Sequence, residues 1–122
     1  MLKISNLRKV FIDRKNNEIE AVKGLNLDVQ AGRIVGLLGM NGAGKSTTLR
    51  MLSTVISPTS GSALLDGVNM HQNPMDVRRS IGFLSGSTGL YKRLTARETI
   101  SWFAQLNGMS KKEIGKRIDE LI

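Results

Sequence analysis

The sequence has no cysteine, so it forms no disulfide framework, holds no thiolate metal site and uses no cysteine nucleophile. Aromatic residues are only 4% of its 122 positions, which leaves no array of stacking platforms for single-stranded nucleic acid. Long apolar runs are missing too. The longest, Ile34 to Met40, is about seven residues, against the roughly 18 that a membrane-spanning helix needs. The amino end, Met1-Leu2-Lys3-Ile4-Ser5-Asn6, lacks the apolar stretch of a secretory signal, and a cytosolic protein is expected. Acidic residues are few: 10 Asp+Glu stand against 18 Lys+Arg, a net charge of +8. That excess is dispersed, because residues 1–33, 34–80 and 81–122 carry 7, 4 and 7 basic against 4, 2 and 4 acidic side chains. Without a basic block the charge reads as solvated surface, and no nucleic-acid partner is expected. What remains, 40% hydrophobic and 23% charged, is the composition of a globular protein with one domain's worth of chain.

Along the chain, Leu2 to Ser5 and Lys9 to Ile12 read as short strands, and Asp13-Arg14-Lys15-Asn16-Asn17 as the turn of a hairpin. Leu25-Asn26-Leu27-Asp28-Val29 alternates apolar and polar residues like a half-buried strand. Arg33 to Leu38 is nearly all apolar and runs into glycines, the pattern of a buried central strand in a parallel α/β sheet. A helix is expected from about Lys45 to Val55, with Leu49, Leu52 and Val55 on one face and Ser57-Pro58-Thr59-Ser60-Gly61 as its stop. A strand around Ser62 to Leu65, an Asp66-Gly67 turn, a short helix near Met75 to Arg79 and a strand from Ile81 to Leu84 follow. Arg78 and Arg79 read as decoration of a helix end, His71 as an exposed loop residue, and Met70, Met75 and Met109 as ordinary fillers. Two capping boxes, Thr95 to Glu98 and Ser110 to Glu113, open the last two helices, and Gly108 stops the first of them. The last helix carries Ile114, Ile118, Leu121 and Ile122 on one side, and the chain stops within it, which reads as truncation.

The most specific signal is Gly39-Met40-Asn41-Gly42-Ala43-Gly44-Lys45-Ser46, a Walker A phosphate-binding loop between a predicted strand and a predicted helix. A phosphate chain has to be wrapped by successive backbone N–H groups, which glycines at 39, 42 and 44 permit. The helix that begins at Lys45 aims its free N–H groups at the same anion. Lys45 would place a charge on the β- and γ-phosphates, the Ser46 hydroxyl would ligate Mg²⁺, and Thr47 is placed to hydrogen-bond a phosphate oxygen.

The run Asn41-Gly42-Ala43-Gly44-Lys45-Ser46-Thr47-Thr48-Leu49 resembles the Walker A segment of the ATP-binding cassette (ABC) ATPases. The resemblance extends to Ala21-Val22-Lys23-Gly24-Leu25-Asn26-Leu27, to Thr59-Ser60-Gly61 through Asp66-Gly67, and to Ile81-Gly82-Phe83-Leu84. It implies ATP and Mg²⁺ as cofactors, an adenine stacked on Phe11, and Val22 completing an apolar slot for the base. The implied fold is α/β, a P-loop NTPase core of ABC type with an antiparallel β subdomain and the start of a helical subdomain, incomplete. On that basis residues 1–85 form the β subdomain and Walker A core, 86–94 the Q-loop region, and 95–122 the start of the helical subdomain.

The sequence departs from the family at two places. Met40 stands where relatives commonly have proline, a position whose side chain points away from phosphate. Gly86 stands where the family usually has a glutamine that reaches Mg²⁺ and the attacking water. A subgroup resembling bacterial sodium-extruding exporters has a similar serine-rich run before Gly89-Leu90-Tyr91, so Gly86 is either a feature of that subgroup, with Ser85 or Ser87 taking the role, or a lost contact. Leu84-Ser85-Gly86-Ser87 only mimics the family signature, which belongs much later. An apolar run ending in Asp-Glu, the true signature and the late histidine do not occur, so no catalytic residue is assigned and the chain alone is not expected to turn over ATP.

The resemblance therefore implies the amino-terminal part of an ATP-hydrolysing exporter subunit. It would work on the inner face of the cell membrane with a membrane-spanning permease and a second cassette, as a homodimer. Leu90, Tyr91, Leu94, Trp102 and Phe103 are the candidate docking residues. A non-catalytic nucleotide-binding remnant or regulatory module, and a soluble ABC protein acting on ribosomes or DNA, are the competing readings.

Overall fold

A computed structural model describes residues 1–86, 89 and 91–122. Ser87, Thr88 and Leu90 lie outside the described residues, and with them the expectations placed on Ser87 and Leu90. The elements are β1 (Leu2–Ile12), β2 (Glu18–Val29), α1 (Lys45–Leu52), β3 (Ser60–Leu65), β4 (Val68–Asn69), α2 (Pro74–Ser80), α3 (Ala96–Leu106) and α4 (Lys111–Leu121). They divide into two compact units, Met1–Phe83 and Leu84–Ile122.

In the first unit four antiparallel strands form a sheet in the order β2-β1-β3-β4. The two short strands expected at the amino end are one strand, β1, which pairs with β2 from Leu2↔Val29 to Ile12↔Glu18. It reads as two because irregularities interrupt the pairing between Ile4 and Arg8, where Asn6 takes a φ of 48°. The hairpin turn is closed by the Asp13 carboxylate, which accepts from the N–H groups of Lys15 at 2.7 Å and Asn17 at 2.8 Å. Asp66 and Gly67, both with positive φ, make the tight turn between β3 and β4.

Ile4 and Leu7 from β1, Val22 from β2, Ala63 from β3, Met51 from α1, Met70 and Val77 make the buried core of this unit. Met51 and Thr48 are the buried residues of α1. Of the expected face of Leu49, Leu52 and Val55, Leu52 packs against the core, but Leu49 and Val55 are exposed, and the helix ends at Leu52 before it reaches Val55. Over barely two turns, a spacing of three fits two adjacent stripes, and contact with the sheet selects between them.

The largest departure is the pair of expected parallel strands. Residues 33–38 and 81–84 form no strand. Ile34, Val35, Leu38 and Leu84 are more than half exposed. A parallel strand is held only by ladders to neighbours on either side, and no partner for either segment lies among the described residues. Two smaller expectations are also corrected. His71 is partly buried, with an Nε2 that is out of solvent and has no hydrogen-bond partner among the described residues, and that burial holds its pKa below the ordinary 6.5. Arg79 is indeed exposed at the end of α2, but Arg78 is bound to Thr54.

In the second unit both capping boxes form as expected. The Thr95 hydroxyl oxygen accepts from the Glu98 N–H at 3.2 Å while the Glu98 carboxylate accepts from the Thr95 N–H at 2.8 Å. Ser110 and Glu113 repeat the arrangement. These hydrogen bonds favour the ionised carboxylates and hold both below the ordinary value of 4.5. Ile114 and Ile118 are buried, whereas Leu121 and Ile122 are exposed, and Arg97 of α3 meets Asp119 of α4 at 2.9 Å.

Candidate nucleotide-binding site

The site is built where the segment after β2 turns into α1. Gly44 is the N-cap of α1 with a φ of 81° and contributes no side-chain cap. It is also pressed against β2: a Cβ at this position would lie 2.2 Å from the Ala21 carbonyl oxygen and 3.1 Å from a Val22 methyl. Only glycine satisfies both the backbone angle and the contact. The first-turn N–H groups of α1 have no helical acceptor, and no acidic side chain occupies that turn. An uncapped, acid-free helix N-terminus behind a glycine loop fits an anion.

Lys45 reaches back over the loop, its ammonium donating to the carbonyls of Gly39 and Met40, each at 2.7 Å. The loop is further closed by the Ala43 N–H on the Met40 carbonyl at 3.2 Å. The lysine charge is thereby held at the mouth of the loop. Asn41 and Gly42 are exposed at the loop's tip, Ser46 is exposed on the first turn and Thr47 is half-buried. A hydroxyl at Ser46 suits a hard cation held beside bound phosphate.

A cavity of about 560 Å³ adjoins the loop, lined by Val22, Lys23, Leu37, Ala43, Lys45 and Thr48 among others. It brings together Val22, Ala43 and Lys45 from the expected set. Phe11 is not among its lining residues. It lies on β1 at 40% exposure, and the Lys9 ammonium sits 5.1 Å from its ring centroid, a cation–π contact. Sequence reasoning passed over Lys23 and Asn26, both on the cavity wall, although they stand inside the block Ala21 to Leu27. Their polarity within an alternating strand was the available signal. None of the residues lining the cavity is acidic.

The family model for the ABC transporter matches residues 22–122, from β2 through the loop to the last helix. The chain belongs to the ABC transporter family. It is 38% identical over 122 residues to the ABC transporter ATP-binding protein NatA of Bacillus subtilis, covering 99% of this chain and 49% of NatA. It is 39% identical to the bacitracin transport ATP-binding protein BcrA of Bacillus licheniformis, covering 100% of this chain and 37% of BcrA. Among solved structures it resembles the dimeric bacterial ABC transporter cassette MJ0796 with a TM-score of 0.80 at 30% identity, over 96% of this chain and 53% of that one. The same cassette in a post-hydrolysis state, bound to ADP and Pi, gives a TM-score of 0.81. The chain thus spans about half the length of NatA and of the solved cassette. These cassettes establish the fold class, a partial P-loop ABC core in which an antiparallel sheet accompanies the helices.

Proposed function

We propose that this chain binds Mg-ATP through the loop Gly39 to Thr47 and forms part of an ATPase that drives export through a separate membrane-spanning subunit. The observation that carries the reading is the Lys45 ammonium held on the Gly39 and Met40 carbonyls of a loop that leads into an uncapped helix N-terminus, beside a cavity without acidic lining. In this reading Gly39, Met40, Asn41, Gly42, Ala43 and Gly44 wrap the phosphates with backbone N–H groups. Lys45 supplies charge to the β- and γ-phosphates, Thr47 hydrogen-bonds a phosphate oxygen, and Ser46 ligates Mg²⁺. The metal ion would neutralise charge on the phosphate oxygens. Val22 forms the apolar wall for the base, and Phe11 stacks on it.

Membership of the ABC transporter family and similarity to NatA and BcrA support a transport role in the whole protein. The dimeric cassette MJ0796 supports pairing with a second cassette. No helix among the described residues is long and apolar enough to cross a membrane. Similarity to ABC transporter ATP-binding proteins supports a membrane-spanning partner, on whose cytoplasmic side this chain would sit. The division into a β subdomain with the Walker A core (1–85), a Q-loop region (86–94) and a helical subdomain (95–122) belongs to the same reading.

Calorimetric titration with ATP and with AMP tests it. A loop that grips the β- and γ-phosphates binds ATP at least about tenfold more tightly than AMP, the worth of roughly one charge-assisted hydrogen bond. Equal affinity for the two would overturn the assignment.

A further inference from the structure

The carboxyl end of α1 lies outside the phosphate loop. There the chain turns back through a Schellman arrangement: the Thr54 N–H donates to the Met51 carbonyl at 3.0 Å and the Val55 N–H to the Arg50 carbonyl at 3.0 Å. The residue in the left-handed position of such a turn is usually glycine. Here it is Thr54, with a φ of 59°, β-branched and only 7% exposed. A β-branched side chain in this conformation is strained and persists only where its surroundings over-determine it. Arg78 of α2 does so. Its Nε donates to the Thr54 hydroxyl oxygen at 2.7 Å and its Nη2 to the Thr54 carbonyl at 2.8 Å. The guanidinium also places positive charge at the carboxyl end of α1, the favourable sign there.

From this geometry we propose that Arg78 is a positioning residue for the phosphate-binding loop, acting through Thr54 to hold α1 in the orientation that aims its N-terminus at phosphate. The inference rests on the proposed ATP site and adds to it a residue remote from the loop. Both ends of the short helix are then fixed: the amino end by Gly44 against the Ala21 carbonyl, the carboxyl end by the two-point grip of Arg78. Arg78 stands three positions before Ile81, whose side chain packs against the core, so α2 and the segment leaving it are tied to the same helix. By linkage, nucleotide binding at the loop tightens this grip as much as the grip favours nucleotide.

The test is a mutant cycle read as ATP affinity of the full chain by calorimetry at low temperature, with folding checked by circular dichroism. Arg78→Met is expected to weaken ATP binding by about 3- to 30-fold, the range over which contact networks transmit coupling. In a Thr54→Gly background, where the turn no longer needs the grip, the same substitution is expected to cost less than about twofold. Arg78→Lys, which keeps the charge but not the fork, is expected to fall between parent and Arg78→Met. A merely structural arginine would lower thermal stability in both backgrounds alike and leave ATP affinity unmoved, and that result would overturn the proposal. If Arg78→Met does not fold, hydrogen exchange of the unmodified chain decides: ATP is expected to slow exchange at the Thr54 and Val55 amides, and unchanged rates would count against the link. Lys45→Ala serves as the control. Should it bind ATP as the parent does, the ATP site itself fails; should it bind weakly while Arg78→Met binds normally, only the role of Arg78 fails.

Discussion

Replacing Gly44 with alanine tests the placement of the phosphate loop against β2. The substitution carries two separate penalties. A residue with a Cβ at a φ of 81° costs roughly 1–2 kcal/mol in the left-handed region. The new methyl would also lie 2.2 Å from the Ala21 carbonyl oxygen, far inside contact distance, and displacing a strand or a loop to make room typically costs about 1–3 kcal/mol. Gly42 separates the two terms. Its φ is 84°, but a Cβ there meets nothing within 4 Å, so Gly42→Ala should incur only the backbone penalty. Gly61 supplies a control away from the loop, since its Cβ would lie 2.1 Å from the Asn6 carbonyl oxygen between β1 and β3. Urea unfolding followed by circular dichroism measures all three. With a slope of about 2 kcal/mol/M, Gly44→Ala and Gly61→Ala should unfold roughly 0.5–1.5 M earlier than Gly42→Ala. A Gly44→Ala midpoint within about 0.2 M of Gly42→Ala would refute the close packing of the loop on β2.

Stability should fall in two steps as pH is lowered. His71 favours its neutral form because burial depresses its folded pKa, so its contribution is complete above the ordinary 6.5 and is lost as pH falls below it. Glu98 and Glu113, depressed by their capping hydrogen bonds, contribute above 4.5 and lose that contribution as pH falls through their folded values. Urea midpoints between pH 7 and 3 check this, with the first step expected to vanish in His71→Gln and the second to shrink in Glu98→Gln; a flat profile would contradict both. A Cβ at Gly86 meets nothing within 4 Å among the described residues, so Gly86→Gln should fold normally, and phosphate release by an ATPase containing it should stay level if a neighbour has taken the glutamine's role. A clear gain would mean that the contact was lost. Tyr91 is exposed and packs edge-on against Trp102 at 5.7 Å, so Tyr91→Ala should reduce co-purification with a membrane-spanning partner while ATP affinity holds. Parental yield of the complex would remove Tyr91 from that surface.

How much of this was legible in the sequence follows from the range of the interactions. The boxes at Thr95 and Ser110 could be read directly because donor and acceptor lie within four residues, and so could the turn at Asp66-Gly67. The phosphate loop was legible for the same reason, since its glycines, lysine and helix start are consecutive. The strands expected at 33–38 and 81–84 were not, because a parallel strand depends on partners distant in sequence, and apolar composition says nothing of whether they are present. The buried face of α1 was legible only at Leu52, because eight residues do not separate a stripe of Thr48, Met51 and Leu52 from one of Leu49 and Leu52. Arg78 looked like a helix-end charge because its partner, Thr54, is 24 residues away and announces itself only by its backbone angle.

Lys45, held by the Gly39 and Met40 carbonyls, is the proposed charge for binding the nucleotide phosphates. Calorimetric titration of the chain and of Lys45→Ala with Mg-ATP measures it most directly. Losing a charge-assisted contact worth about 1.5–3 kcal/mol should weaken binding roughly 10- to 150-fold. Equal affinity in the two proteins would rule Lys45 out as that charge.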